Sequence, residues 1–433
     1  MDKIFKLAIL LILSSCSLNP NSTLWTKNKK IQYENSLNII EIDPKKNVLT
    51  KEINSNIKIK IGNTTKKNIN YYKMTNNNGA TNYDGKLKKI SKYNYSKIEY
   101  FNQYEPEISS YDNNLIFFDN KGTILNFKEN SKLQWKKNYY SKSERKKNPV
   151  LFFSNNKNIL IVADTLANYY SIDLKTGDKI WSGKNNSPFN SQIKILDDKF
   201  FIVDDSNILS CFSIKNGNKL WSYKTEKPLI KSQKKMSIII QENKVIFVNT
   251  LGDVTALDTL TGRLLWQLPT QSKSIYEDAM FLKISDMVLE DNSVFFSNNM
   301  NEFFSLDAST GILNWKQVVN SSLRPSIVND FIFTVSEEGF LIVIDSKSGK
   351  IIRSTDVFDK FKIKKRKKIK PTGFVLGSKK LYLSTSTGRL LIVDIETGKT
   401  QSIIKIDSEK ISRPIILKQS LFVVKNNSVI KLN

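Results

Sequence analysis

One nine-residue phrase recurs along this chain: an aspartate, three residues, a glycine, three residues, a tryptophan. It stands at Asp173/Gly177/Trp181, Asp258/Gly262/Trp266 and Asp307/Gly311/Trp315. Looser copies occupy Phe127/Ser131/Trp135, Ser213/Gly217/Trp221, Asp345/Gly349/Arg353 and Asp394/Gly398/Ser402. Anchored on the glycine position, the copies fall at 131, 177, 217, 262, 311, 349 and 398, about 44 residues apart. That period is the length of one four-stranded propeller blade. It overrides the two or three domains that 433 residues would otherwise suggest, because stacked repeats share one continuous core.

Between the phrases the chain alternates short apolar runs with turn residues. Lys244–Thr250, the turn at Leu251-Gly252-Asp253, the run from Val254 and the Asp258…Gly262 turn are one example. β-branched and aromatic runs punctuated by Gly, Asn and Asp are hairpin signals. Within the phrase each residue has a structural task. Aspartate at a turn entry accepts backbone N–H groups, and glycine supplies a positive φ. Tryptophan four residues later carries a large apolar face into the gap before the next blade. The phrase therefore builds the fold and performs no chemistry.

Seven such turns are present, yet three more strand-like runs follow, at Pro414–Leu417, Leu421–Val424 and Val429–Leu432. An eighth blade then lacks one strand, and a closed ring removes sheet edges. The expected architecture is an all-β, eight-bladed propeller of four-stranded antiparallel blades, with seven blades as the alternative. A segment N-terminal to the repeats should complete the last blade. Leu87–Tyr95 is the first candidate, with 57–61 and 24–27 behind it.

Composition narrows the chemistry. The chain has no histidine, which removes the usual general base, the usual zinc ligand and every histidine-dependent triad. Cys16 and Cys211 are its only cysteines, so no thiolate cluster can hold a metal. Within LSCFSI, Cys211 reads as a small buried residue. The formal charge is +26, from 67 basic and 41 acidic residues, but only seven of the basic residues are Arg. Arg is the residue of bidentate phosphate and base recognition, so a lysine-rich, asparagine-rich composition points to coding bias and solubility before nucleic acid.

The first sixteen residues, MDKIFKLAILLILSSC, carry Lys3 and Lys6 ahead of an apolar run too short to span a bilayer. Leu13-Ser14-Ser15-Cys16 resembles the lipobox of bacterial lipoproteins, in which the signal is cut before a cysteine that then receives lipid. Ser17 is not the aspartate associated with inner-membrane retention, so the resemblance implies an outer-membrane anchor facing the periplasm. The expected organisation is a lipoprotein signal at 1–15, a lipid-anchored tether and N-terminal extension at 16–86, and the propeller at 87–433. The extension is rich in Asn, Lys, Ser and Thr, with Leu24-Trp25 and Ile57–Ile61 as expected contact points.

The phrase resembles the repeat of pyrroloquinoline-quinone-type propellers over residues 120–433. Together with the lipobox and the single-propeller size, the chain resembles the propeller lipoproteins of the outer-membrane β-barrel assembly machinery. That resemblance implies a non-enzymatic scaffold with no cofactor, docked through loops on one side of the ring onto a POTRA domain of the barrel subunit BamA and serving nascent outer-membrane proteins. By position the docking loops fall around Leu229, Ile230 and Lys231, and around Glu277, Asp278 and Asp286. The family's Leu-x-Leu-Arg pattern is absent, with Ile230, Ser232 and Gln233 in its place. Leu229 and Ile230 also fit an ordinary buried inner strand.

One segment departs from the blade plan. Lys362–Lys370 holds seven basic residues in nine, and Lys364, Lys365, Arg366, Lys367 and Lys368 are candidates for contact with anionic headgroups or an acidic partner. A solvated loop is the plainer reading. Two other functions stay open at this stage: a quinone-dependent dehydrogenase, active or decayed, and an adhesion propeller.

Overall fold

A typical outer strand here carries exposed residues among half-buried ones, whereas the two strands inside it are mostly buried; in blade 6 the outer strand, Ile351–Asp356, has no exposed residue. In blade 3, Lys199–Val203 is buried over its last four residues, while Lys219–Lys224 alternates exposed and half-buried positions. A strand covered on both faces must be apolar on both, and only the rim strand can alternate. The computed structural model describes residues 49–62, 76–99, 101, 108–227, 234–270 and 282–433.

Among the described residues there are eight four-stranded antiparallel sheets. Blades 1 to 7 span 109–137, 151–184, 194–224, 238–268, 288–317, 326–356 and 371–405, each with four consecutive strands lettered A to D. Inner strands of neighbouring blades touch, which places strand A at the axis and strand D at the rim. Blade 8 takes Ile415–Leu417, Ser420–Lys425 and Ser428–Leu432 as strands A to C. Its strand D is Lys89–Asn94, antiparallel to Ser428–Leu432. The expected eight blades and the closing strand within Leu87–Tyr95 are both present. Reciprocal bonds between the backbones of Lys88 and Asn433, at 2.8 and 3.0 Å, extend the closure by one residue.

Six of the eight blade junctions are made by the recurring phrase. Asp258 Oδ1 accepts the backbone N–H groups of Leu260 and Thr261, at 3.1 and 2.8 Å, closing the C–D turn. Gly262 has φ +72°, and a Cβ there would meet the Trp221 ring of the preceding blade at 2.6 Å. The indole Nε1 of Trp221 then donates to Thr259 O at 3.2 Å. The same reach, from Nε1 to the carbonyl one residue past the turn entry, is made by Trp135 to Leu174, Trp181 to Ile214, Trp266 to Ala308 and Trp315 to Ser346.

A β-bulge just before the tryptophan aims it. Ala256 faces Trp266 and Leu257 faces Leu264, leaving Leu265 as the extra residue. The same irregularity separates strands C and D in blades 1 to 7. An extra residue bends the strand and sharpens its twist, swinging the indole toward the next blade.

Blade 6 has Arg353 where the tryptophan belongs, and the arginine performs the same task. Its Nη2 donates to Ile395 O at 2.8 Å, again the carbonyl one past the turn entry, here Asp394. Its Nη1 donates to Glu396 O and, at 2.9 Å, to Ile57 O. The described segment 49–62 is thereby held on blades 6 and 7. Ile53 pairs with Ser354 at the rim of blade 6, and Ile59 is buried with its N–H on Glu396 O. Leu24 and Trp25 lie outside the described residues.

Residues 76–86 run through the axis. Asn77, fully buried, donates to Gln192 Oε1, Ser237 Oγ, Ile238 O and Met287 O and accepts from Lys194 Nζ, touching blades 3, 4 and 5. Asn78 bonds Glu290 and both backbone groups of Ile327, reaching blade 6. Thr81 bonds Leu376 O through its backbone and its hydroxyl, and Tyr83 packs on Tyr382, both in blade 7. No described helix is long and apolar enough to cross a membrane. Cys211 is buried in strand C of blade 3, and burial pushes its thiol up to about 12.

Candidate functional site

Two faces of the ring differ in what their loops can offer. On one, A–B and C–D turns are short and stereotyped. On the other, B–C turns meet the D–A connections, which vary in length and composition. Function on a propeller resides in such variable loops. The loops singled out by the sequence, 225–237 and 269–287, are the D–A connections on either side of blade 4, on this second face. Leu229, Ile230, Lys231, Glu277 and Asp278 lie outside the described residues.

Asp286 is described, and its carboxylate points inward. It sits just before strand A of blade 5 and is 4% exposed. Arg324, just before strand A of blade 6, donates to Asp286 Oδ2 through Nε at 2.8 Å and through Nη2. Arg413, before strand A of blade 8, reaches the same oxygen at 3.4 Å. Burial pushes the Asp286 carboxyl up, but Arg324 and Arg413, joined by Lys235 and Lys234, outweigh it and hold it well below the usual carboxylate range. A carboxylate so held is a poor proton acceptor, so the cluster pins three blades together at the mouth of the axis. In this arrangement Asp286 is the root of its loop and not part of its outer surface.

The floor beside it is nearly closed. A crevice of about 20 Å³ lies between Lys234, Met236, Asn249, Leu282 and Ile284, room for about one water. On the opposite face a cleft of about 650 Å³ is lined by Tyr111, Asp112, Asn158, Lys157, Lys175 and Lys418. Among the described residues no group of three or more Cys, Asp or Glu is placed to hold a metal. The buried Asp164–Tyr140–Tyr170 cluster closes a turn in blade 2, where Asp164 Oδ1 accepts the N–H groups of Leu166 and Asn168, both at 2.8 Å.

The basic segment is a rooted knob. Phe358 and Ile369 anchor it in the core, and a short helix, Ile363–Arg366, forms its crest. Arg366 is turned inward, bonding Asp356, Phe361 O and Asp359 O. Lys364, Lys365, Lys367 and Lys368 are exposed. With Lys362 and Lys370 also exposed, the segment divides into one structural arginine and six outward lysines, a division that charge count alone does not reveal.

The repeat, the eight-bladed ring and the junction chemistry define a propeller built of pyrroloquinoline-quinone-type repeats. A family model described as "Outer membrane protein assembly factor BamB" matches residues 120–355, more than half of the chain. The chain belongs to that family. Among solved structures it is similar to BamB from Moraxella catarrhalis, at 15% identity and TM-score 0.64, over 80% of this chain and 100% of that one. It is similar in fold to the computationally designed Ika8 protein, at 12% identity and TM-score 0.59, covering 78% and 99%. A europium-containing methanol dehydrogenase aligns at 11% identity and TM-score 0.62, covering 83% and 89%. No curated protein matches the chain.

Proposed function

We propose that this protein is a non-catalytic scaffold of the outer-membrane β-barrel assembly machinery, anchored by lipid on Cys16 at the periplasmic face of the outer membrane. It docks on a POTRA domain of a BamA-like barrel subunit and aids insertion of outer-membrane proteins. The observation that carries this reading is the BamB family match over 120–355. The filled axis supports it, since Asn77 and Asn78 occupy with their own hydrogen bonds the space a ligand would need.

The docking surface is assigned to the D–A connections flanking blade 4, with Leu229, Ile230, Lys231, Glu277 and Asp278 as contacts. A photo-crosslinker placed at Ile230 or Glu277 in cells should capture a POTRA-containing barrel protein, and the same probe at Lys418, on the opposite face, should not. Capture from neither loop position overturns the docking assignment. Lipid on Cys16 is checked by metabolic labelling with a fatty acid, which Cys16→Ser should abolish.

The likeness to a methanol dehydrogenase concerns the fold alone. A quinone-dependent activity needs an axis open to a stacked cofactor, and residues 76–83 stand there. Titration with pyrroloquinoline quinone in the presence of calcium should leave the quinone spectrum unchanged. A saturable spectral shift would restore the enzymatic reading.

A further inference from the structure

The D–A face carries a second charged region, diametrically opposite the loops assigned to docking. Of the eight connections on this face, three concentrate basic residues with little acidic compensation; apart from the docking connection 225–237, with four lysines and Glu226, two of them stand away from blade 4. One is the knob at 362–370 between blades 6 and 7. The other joins blades 1 and 2, where Lys142, Arg145, Lys146 and Lys147 surround a single Glu144. It too is a built structure: a short helix, Lys142–Arg145, starts with a reciprocal cap in which Ser141 and Glu144 satisfy each other's backbone N–H. Both connections touch B–C turns of the same face. Asn148 accepts from Asn120, the Lys370 N–H donates to Ser386 Oγ, and the Ser386 N–H donates to Lys370 O.

Ring order sets the geometry. The junctions of blades 1 and 2 and of blades 6 and 7 straddle blade 8, and blade 8 lies across the ring from blade 4. The connections between them, 95–108 and 406–414, are neutral to acidic, so the positive charge stands in two separate projections.

We infer that these two projections seat the blade-8 side of the ring on an anionic bilayer surface, leaving the blade-4 side free. Three features favour lipid over an acidic protein. The outward charges are nearly all lysine, while Arg366 is spent inside the loop; point charges suit diffuse attraction to headgroups, and specific carboxylate recognition favours the arginine fork. Ile363, at the crest between Lys362 and Lys364, is 76% exposed and makes no contribution to the core. An apolar side chain ringed by lysines is suited to the headgroup boundary, where lysine stems lie along the acyl surface and the ammonium groups stay in water. Finally, each projection is braced from within, so little ordering is needed on contact.

The inference does not depend on lipid at Cys16, and the test removes that variable. Full-chain protein carrying Cys16→Ser is floated with phosphatidylcholine vesicles and with vesicles containing about one third phosphatidylglycerol. The difference between the two cancels any contribution common to both. Preference for anionic vesicles is expected, and it should disappear in high salt. Replacing Lys364, Lys365, Lys367 and Lys368 with Gln should weaken binding by about tenfold or more, since each lysine near the surface acts separately. Lys142→Gln with Lys146→Gln and Lys147→Gln should add to that loss, and Ile363→Ser should weaken binding with every charge retained. No preference for anionic vesicles, or no change in the quadruple lysine variant, overturns the inference. So does binding to polyglutamate that matches vesicle binding and is indifferent to Ile363→Ser, which would point to an acidic protein. All variants alter exposed side chains, and unchanged thermal unfolding confirms that folding is not the cause.

Discussion

At six of the eight blade junctions a donor at the tryptophan position crosses to the carbonyl one residue past the next turn entry, and the identity of the donor matters less than its position. Trp266 lays its ring on Gly311 and bonds Ala308 O. Trp266→Ala should cost about 2–4 kcal/mol, from lost packing and a lost bond, read as a lower urea midpoint. Arg353 makes the equivalent bond with a guanidinium and adds two more. Arg353→Lys keeps the charge and loses the fork, so it should loosen residues 49–62 first. Limited proteolysis should then cut within that segment while the ring stays intact. Asp286 is held below its usual range, so its pair with Arg324 and Arg413 stabilises fully above about pH 4, the unfolded value. That stability drains away as pH falls toward the folded value. Asp286→Asn should lose about 3–5 kcal/mol at neutral pH by stripping two buried guanidiniums of their carboxylate. Its acid-unfolding limb should also be shallower than that of the parent protein.

The elements were legible to different degrees. Strands and C–D turns could be read because the period is local and five of the seven turns carry both the Asp and the Gly. Strand Lys89–Asn94 could be read from a count, since a ring cannot end three strands into a blade. The β-bulges could not, because an extra residue in a rim strand changes no composition. The axial segment falls within the expected tether and N-terminal extension, and its place at the axis is hidden for a physical reason: MTNNNGATNYDGK is polar, and polarity normally means exposure. Here the side chains are polar because the inner strands around the axis present polar groups that need partners. Asn77→Ala removes bonds to three blades and should cost about 2–4 kcal/mol. Hydrogen exchange should quicken most in strands A of blades 3 to 5. Asp286 illustrates the opposite limit: its acidity was visible, but its partners lie 38 and 127 residues away, and only the fold brings them together.

At the scale of the whole molecule, the proposed tasks are separated by angle around the ring. Loops around blade 4 are assigned to a protein partner, basic projections beside blade 8 to a charged surface, and the axis to the protein's own chain. Such a division is available to a propeller because each blade rests on its neighbours alone, so loops vary without disturbing the core. The family match bears on the repeats of blades 1 to 6 and the filled axis on the middle of the ring, while the two loop assignments rest on position and charge. They are separable by experiment: lysine variants beside blade 8 should leave crosslinking from Ile230 unchanged, and changes at 229–231 should leave vesicle binding unchanged.

Closure by Lys89–Asn94 also means that the propeller has no intrinsic beginning. Lys88 and Asn433 exchange backbone hydrogen bonds, so the two positions are already as close as neighbours in a strand pair. A short linker from Asn433 to Lys88 would make blade 8 continuous, and the chain could then be opened in any D–A connection. Joining Asn433 to Lys88 replaces the bond between Leu87 and Lys88 and so disconnects residues 76–86 from the ring, turning the axial segment into a separate peptide. Circular permutation thus converts one fold into a two-part system, in which the affinity of a free 76–86 peptide for the permuted ring reports directly what the axis contributes.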